Sequence, residues 1–198
     1  MDRVNFVGAL SLDPERWFVG ARIEVVQFSD PLGGDILQER RFAARGVHEQ
    51  LLDCLAYLQS LYGEVTAKRD DRAQADRTAV VPGTAIREAL VNAVYHRSYE
   101  GQPEPTKVYL YPDRLEIISY PGPAAGITLA QLGGQSAVPP LPARNRRMGE
   151  ILKELRLAEG RGTGIAKLHR AMRENGSPPP QFDFDEARTY FRVMLLVR

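Results

Sequence analysis

"IREALVNAVYHR", Ile86 to Arg97, is the stretch whose reading decides the fold. On a period of 3.6 residues, Ile86, Ala89, Leu90, Ala93 and Val94 share one broad face. A helix with such a face packs its apolar side on a sheet. Glu88, Asn92 and His96 recur four apart and drift slowly round another face. That stripe points away from the sheet, toward whatever covers the helix. Pro82-Gly83-Thr84 opens the helix, with Thr84 the expected N-cap. A polar stripe by itself is commonly a solvated face. It also holds usable chemistry. The Glu88 carboxylate can take a proton from water, and the Asn92 side-chain oxygen is a hard ligand suited to Mg²⁺.

Upstream, Ala21–Phe28 is rich in β-branched and aromatic residues and predicts a strand. Pro31–Gly34 is a turn and Ile36–Phe42 a second strand. Val47, Leu51, Cys54, Leu55, Leu58 and Leu61 predict a helix over Val47–Tyr62, between Gly46 and Gly63. Trp17 and Phe18 precede the first strand as core or interface anchors. Lys68–Arg77 is densely charged and predicts a connection in solvent.

Downstream, Lys107–Tyr111 and Arg114–Ser119 alternate as strands about a Pro112-Asp113 turn. Pro121–Pro142 is long and rich in Pro, Gly and Ala, which marks a functional or mobile segment. Arg144–Leu157 and Ile165–Arg173 carry helical patterns, the second stopping at Asn175-Gly176. Gln181–Phe184 and Tyr190–Val197 complete the strands. This order predicts an α+β fold: a two-layer sandwich, a mixed and mostly antiparallel sheet, and helices on one face.

Gly160-Arg161-Gly162-Thr163-Gly164 precedes the last helix. Glycines let a backbone approach a ligand closely, and a helix N-terminus presents free N–H groups to an anion. The plainer alternative is a turn joining two helices. No Gly-Lys-Ser/Thr follows and no strand leads in, so neither a Walker loop nor a dinucleotide fingerprint is present.

Composition narrows the field further. The 198 residues are 43% hydrophobic and 26% charged, with a net charge of +1, so no global field points to nucleic acid or membrane. Cys54 is alone, which excludes a disulfide framework within the chain and a cysteine zinc site. No apolar run approaches spanning length and no signal pattern opens the chain, so a reducing cytoplasm is expected. Arg144, Arg146, Arg147, Lys153 and Arg156 form a local basic cluster, read as a solvated helix face. His48, His96 and His169 show no metal-ligand spacing.

Three segments then match together and in order: "REALVNAVYHRSY" (87–99), "DRLEIISYPG" (113–122) and "ARNRRMGEILKELRLAEGRGTGIAKLHRAMRENGSPPPQF" (143–182). Together they resemble the divergent ATP-binding domain of ATP-dependent DNA helicase-related transcriptional regulators. That domain is a branch of the GHKL, or Bergerat-fold, ATPases, and the match runs from about Val80 to the C-terminus. The resemblance implies a single domain. Residues 1–67 supply entry strands and a helix, residues 78–198 form the core, and about 123–158 form a lid. It implies ATP and Mg²⁺ as cofactors, with Glu88 catalytic and Asn92 holding the metal. His96 falls where this branch commonly has His-Arg.

Gly122 would match the first glycine box, and Gly160, Gly162 and Gly164 the second, with Arg161 and Thr163 beside phosphate. Arg144, in the lid region, would approach phosphate too. Typical relatives carry Asp in the first box to accept from the adenine amine. Tyr120 stands there, and Ser119 is the nearest substitute. The resemblance implies a regulatory ATPase that acts on a partner domain or a second copy in a homodimer, with DNA contacted through neighbouring domains. The other reading is a degenerate module that serves oligomerisation or DNA-associated regulation without hydrolysis.

Overall fold

The computed structural model describes residues 6–43, 45–67, 76–139, 144–158 and 162–197. Two short helices lead in, α1 (Phe6–Leu12) and α2 (Pro14–Trp17), followed by β1 (Ile23–Phe28), β2 (Ile36–Phe42) and α3 (Val47–Tyr62). A small hairpin, β3 (Glu64–Ala67) and β4 (Asp76–Ala79), precedes α4 (Gly83–His96). Then come β5 (Thr106–Leu110), β6 (Arg114–Ser119), α5 (Leu129–Leu132), α6 (Arg146–Glu154), α7 (Gly164–Glu174), β7 (Gln181–Asp183) and β8 (Phe191–Leu196).

Six strands make one sheet in the order β2-β1-β5-β6-β8-β7. β1 runs parallel to β5, and every other neighbouring pair is antiparallel. Strand alternation sends Ile23, Val25, Val108, Leu110, Leu115, Ile117, Val193 and Leu195 to one buried face. There α3 and α4 cover the sheet. Ile86, Leu90 and Val94 of α4 are fully buried, each contributing about 1.5–3 kcal/mol of apolar burial. The opposite face carries rings and charges: Phe28 stacks on Tyr111 with centroids 4.8 Å apart. Glu116, buried, accepts from Arg114 Nε at 2.6 Å and lies 3.5 Å from Arg192 Nη1. The expected two-layer α+β sandwich is the observed one.

Some local expectations are corrected. Pro82, not Thr84, is the N-cap of α4, and no side chain caps it. Pro there lacks only an N–H that no helical carbonyl needed. Asp76 and Arg77 belong to strand β4 rather than to a loop, while 68–75 of that charged run lie outside the described residues. Leu61 and Leu155 are exposed, since each sits at the last turn of its helix and beyond the covered stripe. Trp17 is also exposed, whereas Phe18 packs edge-on to buried Tyr99. The Pro/Gly-rich segment contains α5, capped by Thr128, whose hydroxyl accepts from Gln131 N at 3.3 Å. The stop at Asn175 holds: its side chain accepts from Ala79 N at 3.1 Å and donates to Ala79 O at 2.8 Å. That pair ties the end of α7 to β4.

Candidate functional site

The polar stripe of α4 lines an open cavity of about 1710 Å³. Its other walls come from the turn after β6, the 123–139 segment, Arg144 and Arg146 at the start of α6, residues 156–158 after it, α7 from its approach at Gly162 to Glu174, and Phe191 of β8. The volume exceeds the roughly 300–1,000 Å³ of most small-ligand clefts.

Glu88 and Asn92 meet the glycine loop at the first residue of α7. A Cβ placed on Gly164 would lie 3.0 Å from Asn92 Nδ2, 3.1 Å from Glu88 Oε2 and 3.2 Å from Asn92 Oδ1. Gly164 is therefore a glycine of close approach, with a negative φ. Gly162 is one of conformation, at φ +67°. Thr163 is the N-cap of α7, and both it and Gly162 line the cavity. The N-terminus and positive dipole end of α7 thus lie beside the two polar side chains of α4. Gly160 and Arg161 lie outside the described residues.

His96 closes the stripe at the last turn of α4. Its ring is exposed, but into the cavity, where the walls displace much of its water. That crowding, with the Arg144 guanidinium nearby, lowers its pKa to about 4. Arg144 donates to the carbonyl oxygens of His96 and, at 3.3 Å, of Gly122. Its guanidinium thereby bridges the end of α4 to the turn after β6, and it also lines the cavity. Asn145, buried, donates from Nδ2 to Tyr95 O at 2.8 Å and Arg97 O at 2.6 Å. It satisfies carbonyls that the end of a helix leaves open. Arg97 continues inward, giving Nη1 to Gly20 O at 2.7 Å and Nη2 to Glu104 O at 3.0 Å.

The turn after β6 reads Ser119-Tyr120-Pro121-Gly122, with a cis peptide between Tyr120 and Pro121. Register decides which side chain enters the cavity. Ser119 shares the inward parity of Leu115 and Ile117, is buried, and lines the wall. Tyr120 takes the opposite face and is absent from the cavity wall, with Lys107 Nζ 5.4 Å from its ring centroid. Tyr120, expected at the Asp position of the first box, thus looks away from the cavity, and Ser119 occupies that wall.

Gly122 is required by the chain beside it: a Cβ there would lie 2.8 Å from Tyr190 O and 2.9 Å from Arg188 Cα. Arg188 O accepts from Gly122 N at 2.7 Å. Its guanidinium donates to Pro123 O at 3.1 Å, Ala124 O at 2.8 Å and Ile127 O at 2.9 Å. Arg188 and Asn145 were invisible from the sequence. Both act on backbone carbonyls, and no residue spacing announces such partners.

The described residues include no group of three or more His, Cys, Asp or Glu that could hold a metal unaided. Glu88 Oε2 and Asn92 Oδ1 both lie against Gly164, 3.1 and 3.2 Å from where its Cβ would stand. Such a pair suits Mg²⁺ only when waters and phosphate oxygens complete its octahedron. His169, the other histidine of this half, bonds Leu132 O through Nε2 at 2.7 Å and joins α7 to α5.

Comparison with known proteins bears on part of the chain and on the fold. No curated protein matches the chain. A family described as "Putative ATP-dependent DNA helicase recG C-terminal" matches residues 104–195. That stretch holds Ser119, Gly122, Arg144 and the glycine loop, whereas Glu88, Asn92 and His96 precede it. Among solved structures, the DIP2311 protein from Corynebacterium diphtheriae superposes with a TM-score of 0.78 at 24% identity, over 98% of this chain. This chain spans 37% of the length of that one, and the likeness is one of fold. Over residues 104–195, then, the chain is similar to a helicase-related, ATPase-like domain.

Proposed function

We propose that the chain is an ATP-binding regulatory domain of the GHKL type and a slow Mg²⁺-dependent ATPase. The observation that carries this reading is the meeting of Glu88 and Asn92 with Gly164 at the N-terminus of α7. It sets a carboxylate, a side-chain amide and a helix N-terminus together at one cavity, groups that would serve as general base, hard metal ligand and phosphate acceptor. Asn92, with phosphate oxygens and water, would hold the metal, which neutralises phosphate charge when bound. Glu88 would take a proton from the attacking water. Gly162, Thr163 and Gly164, with Gly160 and Arg161 of the same loop, would pass their N–H groups to phosphate. His96, Ser119, Gly122 and Arg144 would line the rest of the nucleotide's path.

Bound nucleotide would bias the 123–158 segment between arrangements and so act on a neighbouring domain, a second copy or DNA-bound partners, as a transcriptional regulator requires. The test is calorimetric titration with ATP and ADP, with and without Mg²⁺, on the wild type and on Asn92→Ala. ATP binding that strengthens with Mg²⁺ and loses that gain in Asn92→Ala is expected. Absence of binding at millimolar nucleotide sinks the proposal. Turnover that survives Glu88→Ala removes the hydrolytic role and leaves the non-hydrolysing, degenerate module as the reading.

A further inference from the structure

We propose that the open edge of the sheet, strand β2 with the groove it forms against α3, binds an extended acidic peptide of a protein partner as an added strand. This site shares no lining residue with the nucleotide cavity and is independent of it. β2 ends the sheet, with β1 as its strand neighbour. Alternate residues of an edge strand point N–H and C=O outward, where another chain can pair. Among the described residues, no strand or turn takes up that edge. Ile36 to Arg41 are all exposed, Leu37 by 63%.

Beside this edge an open groove of about 570 Å³ lies between β2 and α3. Asp53, Ala56, Tyr57 and Ser60 form its α3 wall, at the spacing of one helix face. Arg40 pairs with inward-facing Val25 and shares the parity of Phe42, so its side chain rises on the helix side. Its guanidinium carbon lies 4.7 Å from the Tyr57 ring centroid and 5.2 Å from that of Phe42. The rings hold the charge at the groove. The neighbouring arginines have carboxylates: Arg41 has Glu24 at 3.5 Å and Glu39 at 3.3 Å, and Arg45 has Asp53 at 3.8 Å. Arg40 forms no ion pair with any described residue.

Register then selects the occupant. A side chain directly opposite Arg40 on an added strand lies on the same face, and opposite charges across such a pair attract. A carboxylate there supplies the partner that Arg40 lacks. A second copy of β2 cannot supply it. Two-fold antiparallel pairing keeps every side chain on its own face, so residues meet only partners of their own parity. Arg40 would meet Ile36, Gln38, Arg40 or Phe42, and never Glu39. Single-stranded nucleic acid fits less well, because stacking needs open ring faces and Arg40 already lies over both rings.

The experiment titrates the whole chain with a fluorescent peptide of about ten residues that alternates threonine and glutamate, so that its carboxylates share one face of a strand. A threonine–lysine peptide is the comparison. So are two N-methylated forms of the glutamate peptide, each methylated on one alternate set of amides. We expect the glutamate peptide to bind about tenfold or more tightly than the lysine peptide. One methylated form should lose binding and the other keep it, because only one edge of the peptide meets β2. Amide hydrogen exchange should slow at alternate residues of Ile36–Phe42. Arg40→Glu should weaken the glutamate peptide by about tenfold or more and reverse the preference toward lysine. If Arg40→Glu does not fold, the wild-type comparisons decide. Equal binding of the two methylated forms overturns the proposal. So does a lysine peptide that binds as tightly as the glutamate one, or no binding at millimolar peptide. A dimer of the chain alone that protects β2 from exchange overturns it too, as does single-stranded DNA that binds through Arg40 more tightly than the peptide.

Discussion

Gly164 and Asn92 share a space that only a missing side chain leaves open: a Cβ on Gly164 would stand 3.0 Å from the Asn92 amide nitrogen. This contact separates stability from function. Gly164 has ordinary helical geometry, so alanine suits the backbone better there, by up to about 1 kcal/mol. The new methyl must push Asn92 and Glu88 aside, which costs a comparable amount. Gly164→Ala should therefore unfold within about 1 kcal/mol of the wild type in urea. Its affinity for Mg²⁺-ATP should fall by about tenfold or more, a change of about 1.4 kcal/mol. A variant that binds as tightly as the wild type would show that the two side chains can yield at no functional cost.

Asn145 should matter more for stability than any residue on its own helix's exposed face. Asn145→Ala strips a donor from the carbonyls of Tyr95 and Arg97 in a buried place. The expected loss is about 1–3 kcal/mol, the cost of an unsatisfied buried group. Asn145→Asp should lose at least as much, because it adds an acceptor where donors are needed. Arg146→Ala, one residue on, removes a highly exposed side chain 3.7 Å from Glu150 and should change stability by less than about 0.5 kcal/mol. Urea midpoints of the three variants decide the ranking.

Arg188 offers a test that runs through the backbone. It holds three carbonyls of the 123–127 turn while sitting at φ +54°. Arg188→Ala keeps the left-handed backbone and loses the guanidinium, for an expected loss of about 1–3 kcal/mol. Arg188→Gly loses the same bonds but relieves the conformational strain, worth roughly 1 kcal/mol. Glycine should therefore be the milder substitution, by thermal denaturation. Limited proteolysis should find the 123–127 turn cut faster in both variants than in the wild type.

The imidazole of His96 gives the molecule a signed acid response. Its pKa is lowered to about 4 by crowding and Arg144, against 6.5 for the free side chain. Between those values the unfolded chain binds the proton and the folded chain does not, so stability rises with pH across that window. It is lost as pH falls from about 6.5 toward about 4, and the contribution of this group levels off below. An NMR titration should find the His96 ring neutral at pH 5.5. His96→Gln should flatten the stability profile between pH 4 and 6.5. Bound polyphosphate, by pairing with Arg144 and adding negative charge, should raise the His96 pKa. A ring that titrates near 6.5 in the free protein would sink the argument.

The layer arrangement was legible because it depends on periodicity. The α4 face of Ile86, Leu90 and Val94 and the alternation of Leu115 and Ile117 needed only counting. The meeting of Glu88 and Asn92 with Gly164 was reachable only by setting two distant segments side by side. What stayed hidden depends on partners rather than on pattern. Asp76 and Arg77 look like solvent loop, yet β4 pairs with its hairpin neighbour and is tied to Asn175 through Ala79. The turning away of Tyr120 could have been read, since Ser119 continues the parity of Leu115 and Ile117, but motif order draws the eye to the wrong residue. Nothing in "FDEARTY" announces that Arg188 will hold a turn more than sixty residues upstream.

The parallel pairing of β1 with β5 also sets the order in which the molecule can assemble. β5 and β6 close a local hairpin, but Ile23 must find Thr106, and Ser119 must find Phe191, across long intervening chain. Loop closure over such distances is slow and comes after local structure has formed. The cavity draws walls from α4, from the turn after β6 and from Phe191, so it cannot exist until β8 has docked. If β8 docks after the transition state, polyphosphate that binds there should slow unfolding far more than it speeds folding.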